Sequence, residues 1–171
     1  LMQALKDALG DVNVIAEDLG FLTDSVRRLL HDSGFPGMKV IQFAFDSREE
    51  SDYLPHNYEK NCVVYTGTHD NDTLCGWYKV LDPEDLKLSQ KYMNNANTPK
   101  RQIHWDFIRL ALASVADLCI IPLQDYLGLG SEARINTPST LGNNWRWRMK
   151  QGCLTKELAD QIRELTTLYG R

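Results

Sequence analysis

The sequence lacks any uninterrupted apolar run near the roughly 20 residues that a membrane-spanning helix requires, and no basic stretch leads into an apolar one near residue 1. Neither a membrane anchor nor a secretory leader is expected, and a cytoplasmic setting is the simplest inference. An excess of basic charge is also missing: 19 Lys and Arg stand against 23 Asp and Glu. That balance disfavours nucleic acid and anionic membranes as partners and leaves a neutral or polar small ligand. No CxxC pair occurs, and Cys62, Cys75, Cys119 and Cys153 are widely spaced. They read as reduced, mostly buried thiols rather than a zinc or redox centre. Low-complexity tracts, internal repeats and Gly/Ser linkers are absent too, so residues 1–171 are expected to form a single segment with no internal boundary.

What is present is a chain of 171 residues, 43% hydrophobic and 25% charged, the composition of a soluble globular protein with a real core. The opening "LMQALKDALG" reads as the end of an amphipathic helix, so the chain looks like a piece of something longer. Beyond it, apolar β-branched runs alternate with helical patterns. Strands are expected at residues 12–16, 38–45, 62–67 and 116–125. Helices are expected from Thr23 as N-cap to a stop at Gly34, from Pro83 behind Asp82, from Arg101, and from Thr155 to Gly170. Four apolar strands spaced in this way argue for parallel βα units.

In parallel α/β folds the ligand binds beyond the carboxyl ends of the strands. The positions there are Glu17 and Asp18, then Asp46, then His69, Asp70, Asn71 and Asp72, then Gln124 and Asp125. Asp72 reads equally as a helix cap, and Asp18 and Asp125 as residues holding a loop. For Glu17 and Asp70 a structural role is weaker, because a carboxylate at the last inward position of a buried strand costs desolvation unless it is paired or used. Two such carboxylates suit acid/base work on an acetal, one donating a proton to a leaving oxygen and the other stabilising positive charge. A sugar is therefore the expected substrate. Tyr53, Tyr58, Trp77, Tyr126, Trp145 and Trp147 are candidate platforms for it, with ordinary packing the commoner fate of such rings. A metal site built on His69, Asp70 and Glu17 is the rival chemistry, but His31, His56 and His104 lack ligand spacing.

"VIAEDLG", "PGMKVIQFAFD", "YLPHNY", "VVYTGTHDNDT", "LGLGSEARINTPST" and "NNWRWR" occur in this order from about residue 9 to residue 148. Together they closely resemble the amylomaltases, the 4-α-glucanotransferases of glycoside hydrolase family 77. The resemblance implies a (β/α)8 TIM barrel that transfers an α-1,4-glucan segment between maltodextrins by a retaining double displacement. No cofactor is called for, since transfer from one acetal to another is nearly isoenergetic and the carboxylates suffice, and the missing ligand spacing disfavours a metal. The same resemblance implies Glu17 as general acid/base, Asp70 as transition-state stabiliser and His69 as a donor to a sugar hydroxyl. Asn71, Asp46, Phe43, Asn143 and Asn144 match substrate-binding positions, while Arg134 and Asn136 are expected to shape the barrel mouth as scaffold. The partner is a maltodextrin or starch-derived α-1,4-glucan, and a plant source would place the protein in a plastid.

The family's nucleophile lies in an Arg-x-Asp-His motif that these 171 residues do not contain. The chain therefore resembles the C-terminal half of the barrel, strands five to eight, with the N-terminal half as its missing partner. An open half barrel leaves unpaired strand edges and an exposed inner face, so the isolated chain is expected to misassemble, pair with itself, or fold only beside that half. The alternative is a non-catalytic, sugar-binding or structural half-barrel remnant. Among enzymes, a plain α-glucosidase or amylase is the nearest neighbour.

Overall fold

The computed structural model describes every residue except Leu1 and Asp11. The expected N-terminal helix is α1, Met2–Leu9, although Leu1 at its start lies outside the described residues. Helix α2, Asp24–Ser33, follows Thr23, whose backbone is extended as an N-cap requires but whose side chain makes no capping bond. It ends at Gly34 with φ 69, a left-handed stop that favours glycine.

Three parallel strands come next in space: β1, Gly37–Val40, β2, Cys62–Tyr65, and, beyond three helices, β3, Leu118–Ile120. Their order is β1-β2-β3. Between β2 and β3 run α3, Leu74–Val80, α4, Pro83–Met93, and α5, Ile103–Leu112. Helix α4 starts where Pro83 and Asp82 predict, with the Asp82 carboxylate accepting from the Glu84 amide. After β3 a short helix α6, Leu123–Tyr126, precedes the long α7, Lys156–Leu168, whose Thr155 cap accepts from the Leu158 amide.

The strand register sorts side chains onto two faces. Lys39, Val64 and Cys119 lie side by side, and that face carries Val64 into a core with Ile41, Phe45, Leu74, Phe107, Ile108 and Ala111. Residues one step along point the other way, so Met38, Tyr65 and Ile120 are on the opposite face, where they line an open cleft. The core also draws in Leu165 of α7, which ties the C-terminal helix to the same body as β2.

Three expected strands come out differently, each for a local reason. Residues 12–16 form no ladder: Ala16 N–H donates to Pro36 C=O at 2.9 Å, but Pro36 has no N–H to return, and the Met38 amide is taken by the Asp18 carboxylate at 2.6 Å. The expected strand 38–45 gives way after Val40 to a 3-10 turn, Ile41–Phe43. The expected strand 116–125 is paired only over Leu118–Ile120, and Pro122 then opens α6. Gln124 and Asp125 accordingly sit on a helix, buried, and not at an open strand end.

Candidate active site

The cleft lies beyond the carboxyl ends of the three strands and has a volume of about 1010 Å3. Glu17, Phe43, Tyr65, His69, Asp70 and Asn71 are among the residues lining it. All of these but Tyr65 are expected site residues, now brought to one cleft. Asp46 lines a neighbouring 640 Å3 cleft, which Phe43 shares, packed edge-on to Tyr53 at 5.4 Å. Asn143 and Asn144 stand in the loop beyond and do not line either cleft.

The wall that carries Asp70 is the segment following β2. A tight turn starts it: the Asn71 side-chain oxygen accepts from both the Thr68 amide and the Thr68 hydroxyl at 2.8 Å, so that part of Asn71 serves the turn. The segment is then pinned at both ends by one buried carboxylate. Asp125, 2% exposed, accepts from the Thr66 hydroxyl at 2.6 Å and from the Leu74 amide at 2.8 Å. Burial pushes Asp125 up to about 6, against the opposing pull of those two hydrogen bonds. It holds the loop and does not face the cleft.

Further anchors come from the sides. Gln42 Nε2 donates to Asp72 C=O at 2.7 Å, and a Cβ on Gly67 would come within 2.6 Å of that same nitrogen, so the glycine is needed for the approach. Arg134 and Asn136 donate to the backbone and side chain of Asp70, at 2.6 Å each. Asp72 is itself a loop residue, accepting from the Thr73 amide and the Ser131 hydroxyl. The cap of α3 is Thr73, whose hydroxyl accepts from the Gly76 amide.

His69 sits with Nε2 3.3 Å from Asp70 Oδ1, and its ring packs against Trp145 with centroids 5.1 Å apart. Trp145 is 58% exposed and has φ 63, an unfavourable conformation for a bulky residue, and its amide donates to Ile135 C=O at 2.7 Å. Asn144 shapes this loop, accepting from the Thr137 amide and donating to Thr140 C=O. Asn143 accepts from Arg146 at 3.3 Å. Of the other candidate platforms, Tyr58 is buried, and Tyr53, Trp77 and Tyr126 pack on the core.

Glu17 is held differently. Its Oε1 accepts from the Leu19 amide at 2.9 Å, two residues along its own chain. Asp46 is paired with Arg48, through Oδ1 to Nε at 2.7 Å and Oδ2 to Nη2 at 2.6 Å, and these contacts lower its carboxyl to about 2. Among the described residues no group of His, Cys, Asp and Glu converges as a metal site would. What the arrangement offers chemically is an open hollow lined by two carboxylates and an imidazole together with Met38, Tyr65 and Ile120. That combination fits a ring with hydroxyl edges and apolar faces.

Gln42, which braces the Asp70 loop, is a residue that sequence reasoning misses. Its signal is a polar side chain inside the apolar run "VIQFAF", a position that burial makes costly unless the amide is used.

Known proteins resemble this chain in both sequence and backbone. The sequence profile of 4-alpha-glucanotransferases in glycoside hydrolase family 77 matches residues 1–155. The 4-alpha-glucanotransferase of Clostridium butyricum is 49% identical over 172 residues, aligning 100% of this chain with 35% of that protein. The chloroplastic/amyloplastic 4-alpha-glucanotransferase of Arabidopsis thaliana is 45% identical over 174 residues, again across 100% of this chain and 30% of that one. The amylomaltase from Streptococcus agalactiae in complex with acarbose superposes with a TM-score of 0.92 at 38% identity, covering 99% of this chain and 34% of its own. This chain thus spans about a third of the length of the relatives it matches. The backbone agreement bears out the expected architecture, parallel strands with helical crossovers forming part of a (β/α)8 barrel.

Proposed function

Since the chain belongs to the 4-alpha-glucanotransferases of glycoside hydrolase family 77, we propose that within the whole protein it transfers an α-1,4-glucan segment from one maltodextrin to another. In this reading Glu17 is the general acid/base. Its Oε1 is engaged by Leu19, and the other oxygen carries the proton to the glycosidic oxygen as the bond to C1 breaks. A carboxylate nucleophile forms an ester with C1. The Arg-x-Asp-His motif that would supply it is absent from these 171 residues, so the nucleophile is assigned to another part of the protein.

In the second half of the reaction Glu17, now a carboxylate, takes the proton from the acceptor's 4-hydroxyl. That oxygen attacks C1 and expels the nucleophile, so two inversions give retention. Asp70 stabilises the positive charge that develops on the ring, and His69 beside it donates to a hydroxyl of the same sugar. Asn71 contributes to the wall that receives the donor, while Asp46, Asn143 and Asn144 belong to the acceptor side, with Phe43 packed there. The substrate is a maltodextrin or starch-derived α-1,4-glucan, and acarbose in the Streptococcus agalactiae amylomaltase supports that class of ligand.

The observation that carries the reading is the meeting of Glu17, His69 and Asp70 on one open cleft at the carboxyl ends of parallel strands. No described helix is long and apolar enough to cross a membrane, and the proposed setting is a cytoplasm, or a plastid as for the chloroplastic/amyloplastic relative. Residues 1–171 belong to one catalytic domain, a reading supported by a core that runs from Ile41 to Leu165. Taken alone, without the nucleophile motif, the chain is a sugar-contacting part of the barrel that does not turn over.

The test is to incubate the full-length protein and the 171-residue chain separately with maltotriose. Glucose together with longer maltodextrins from the full-length protein alone is the expected result. Glucose without longer products would make the protein a hydrolase, and turnover by the isolated chain would move the nucleophile into these residues.

A further inference from the structure

Residues 134–136 reach two consecutive residues of the loop after β2. The Asn136 amide N–H donates to His69 C=O at 3.1 Å, and Arg134 Nη2 donates to Asp70 C=O at 2.6 Å. Arg134 Nε also donates to Asn136 C=O at 2.8 Å, so one guanidinium fork ties the two backbones to each other. With the backbones held in register, Asn136 Nδ2 donates to Asp70 Oδ1 at 2.6 Å. Oδ1 also faces His69 Nε2 at 3.3 Å, whereas Oδ2 accepts from no described residue.

The geometry points to Asn136 as the positioning residue of Asp70: it takes one carboxylate oxygen and so fixes which oxygen Asp70 offers to a bound sugar. This rests on the proposed role of Asp70 and goes beyond a scaffold role for the turn. A carboxylate on a short, rotatable side chain can turn its oxygens freely at an open cleft, and Asp70 is 46% exposed along its side chain. A misplacement of about 1 Å at a reacting centre costs roughly a hundredfold in rate. The Asn136 bond removes that freedom before substrate arrives. Arg134 is needed for the same reason, since lysine could not make both ends of the fork.

The test uses the full-length protein with maltotriose, reading kcat, KM, the pH profile of kcat and the melting temperature. Asn136→Asp preserves the shape and the backbone bond to His69 but replaces the donor with a second carboxylate. Two carboxylates at that separation hold one proton between them, so the acid limb of the profile is expected to move up by about one pH unit or more. Asn136→Ala is expected to lower kcat by about 10- to 100-fold with KM within about threefold. In an Asp70→Asn background the same change is expected to cost less than about threefold, because its target is gone.

An unshifted acid limb in Asn136→Asp would overturn the proposal, as would an equal loss from Asn136→Ala in both backgrounds. If Asn136→Ala does not fold, Asn136→Asp decides, and failure of both to fold makes the role structural and overturns it as well. A fully active Asp70→Asn protein is a distinct result, one that removes Asp70 from its own proposed role.

Discussion

The two carboxylates of the cleft are supported in opposite ways. Asp70 rides on a loop tied by Asp125 at both ends, by Gln42 at Asp72 and by Arg134 and Asn136 at Asp70 itself. Glu17 rides on a segment without ladder pairing, anchored through Ala16 to Pro36 and through Asp18 to Met38, and among the described residues its own side chain is bonded to Leu19 alone. The difference matches the tasks proposed for them. A group that stabilises charge works best when fixed in advance, since it then needs no reorganisation as the charge develops. A group that gives a proton to the departing oxygen and takes one from the acceptor oxygen that replaces it on the same face of C1 needs one free carboxylate oxygen, and Glu17 is bonded through the other.

The sharpest way to probe the contrast is Glu17→Gln in the full-length protein. The substituted side chain keeps an oxygen for the Leu19 amide, so the fold and melting temperature should not change, while kcat on maltotriose should fall by about a thousandfold. Retained disproportionation would remove Glu17 from its role. Asp125→Ala acts on the other side in the opposite manner. It leaves the buried Leu74 amide without its acceptor, and denaturant unfolding should show a loss of about 1–3 kcal/mol, with activity falling because the Asp70 loop is released.

Asp125 also makes a pH prediction. Its folded value of about 6 lies above the ordinary carboxylate value of 3.8, so between about pH 4 and pH 6 the folded protein holds a proton that the unfolded chain has released. Stability should therefore fall as pH rises through that window, by an amount linked to at most one proton, and level off above it. Comparing unfolding curves of the wild type with Asp125→Asn across this range should show the wild type losing ground as pH rises. The smallest effect belongs to Asp72→Asn. An amide can still accept from Thr73 and pair with Ser131, so a cost below about 1 kcal/mol and less than about a threefold change in kcat are expected. A loss as large as that at Asp70 would make Asp72 part of the chemistry.

The same two neighbourhoods show how much could be read from sequence. Local signals carried well: Asp82 with Pro83, and Thr155, mark their helices where the structure has them. "TGTHDND" after an apolar run marks the place where β2 ends and the site begins. What did not carry were effects that depend on distant partners. The β-branched run before Glu17 reads as a strand, but a ladder needs donors opposite it, and Pro36 and the Asp18 side chain remove them. Asp125 reads rightly as a residue holding a loop but on a strand end, whereas Pro122 starts a helix that turns it into the interior, 59 residues from the Thr66 it holds. Asp72 reads equally as a site residue and as the cap of α3, and the cap is the next residue, Thr73.

The most direct measurement is a crystal structure of the full-length Glu17→Gln protein with a bound maltooligosaccharide. A glucose ring is expected in the cleft, with Asp70 Oδ2 on its hydroxyls and the substituted amide of Glu17→Gln beside the glycosidic oxygen. The loop carrying Asp70 should stay within about 0.5 Å of its position here, its bonds to Arg134 and Asn136 intact. A sugar that reaches neither position, or an Asp70 loop that rearranges more than the Glu17 segment on binding, would contradict this division between a heavily braced carboxylate and a lightly braced one.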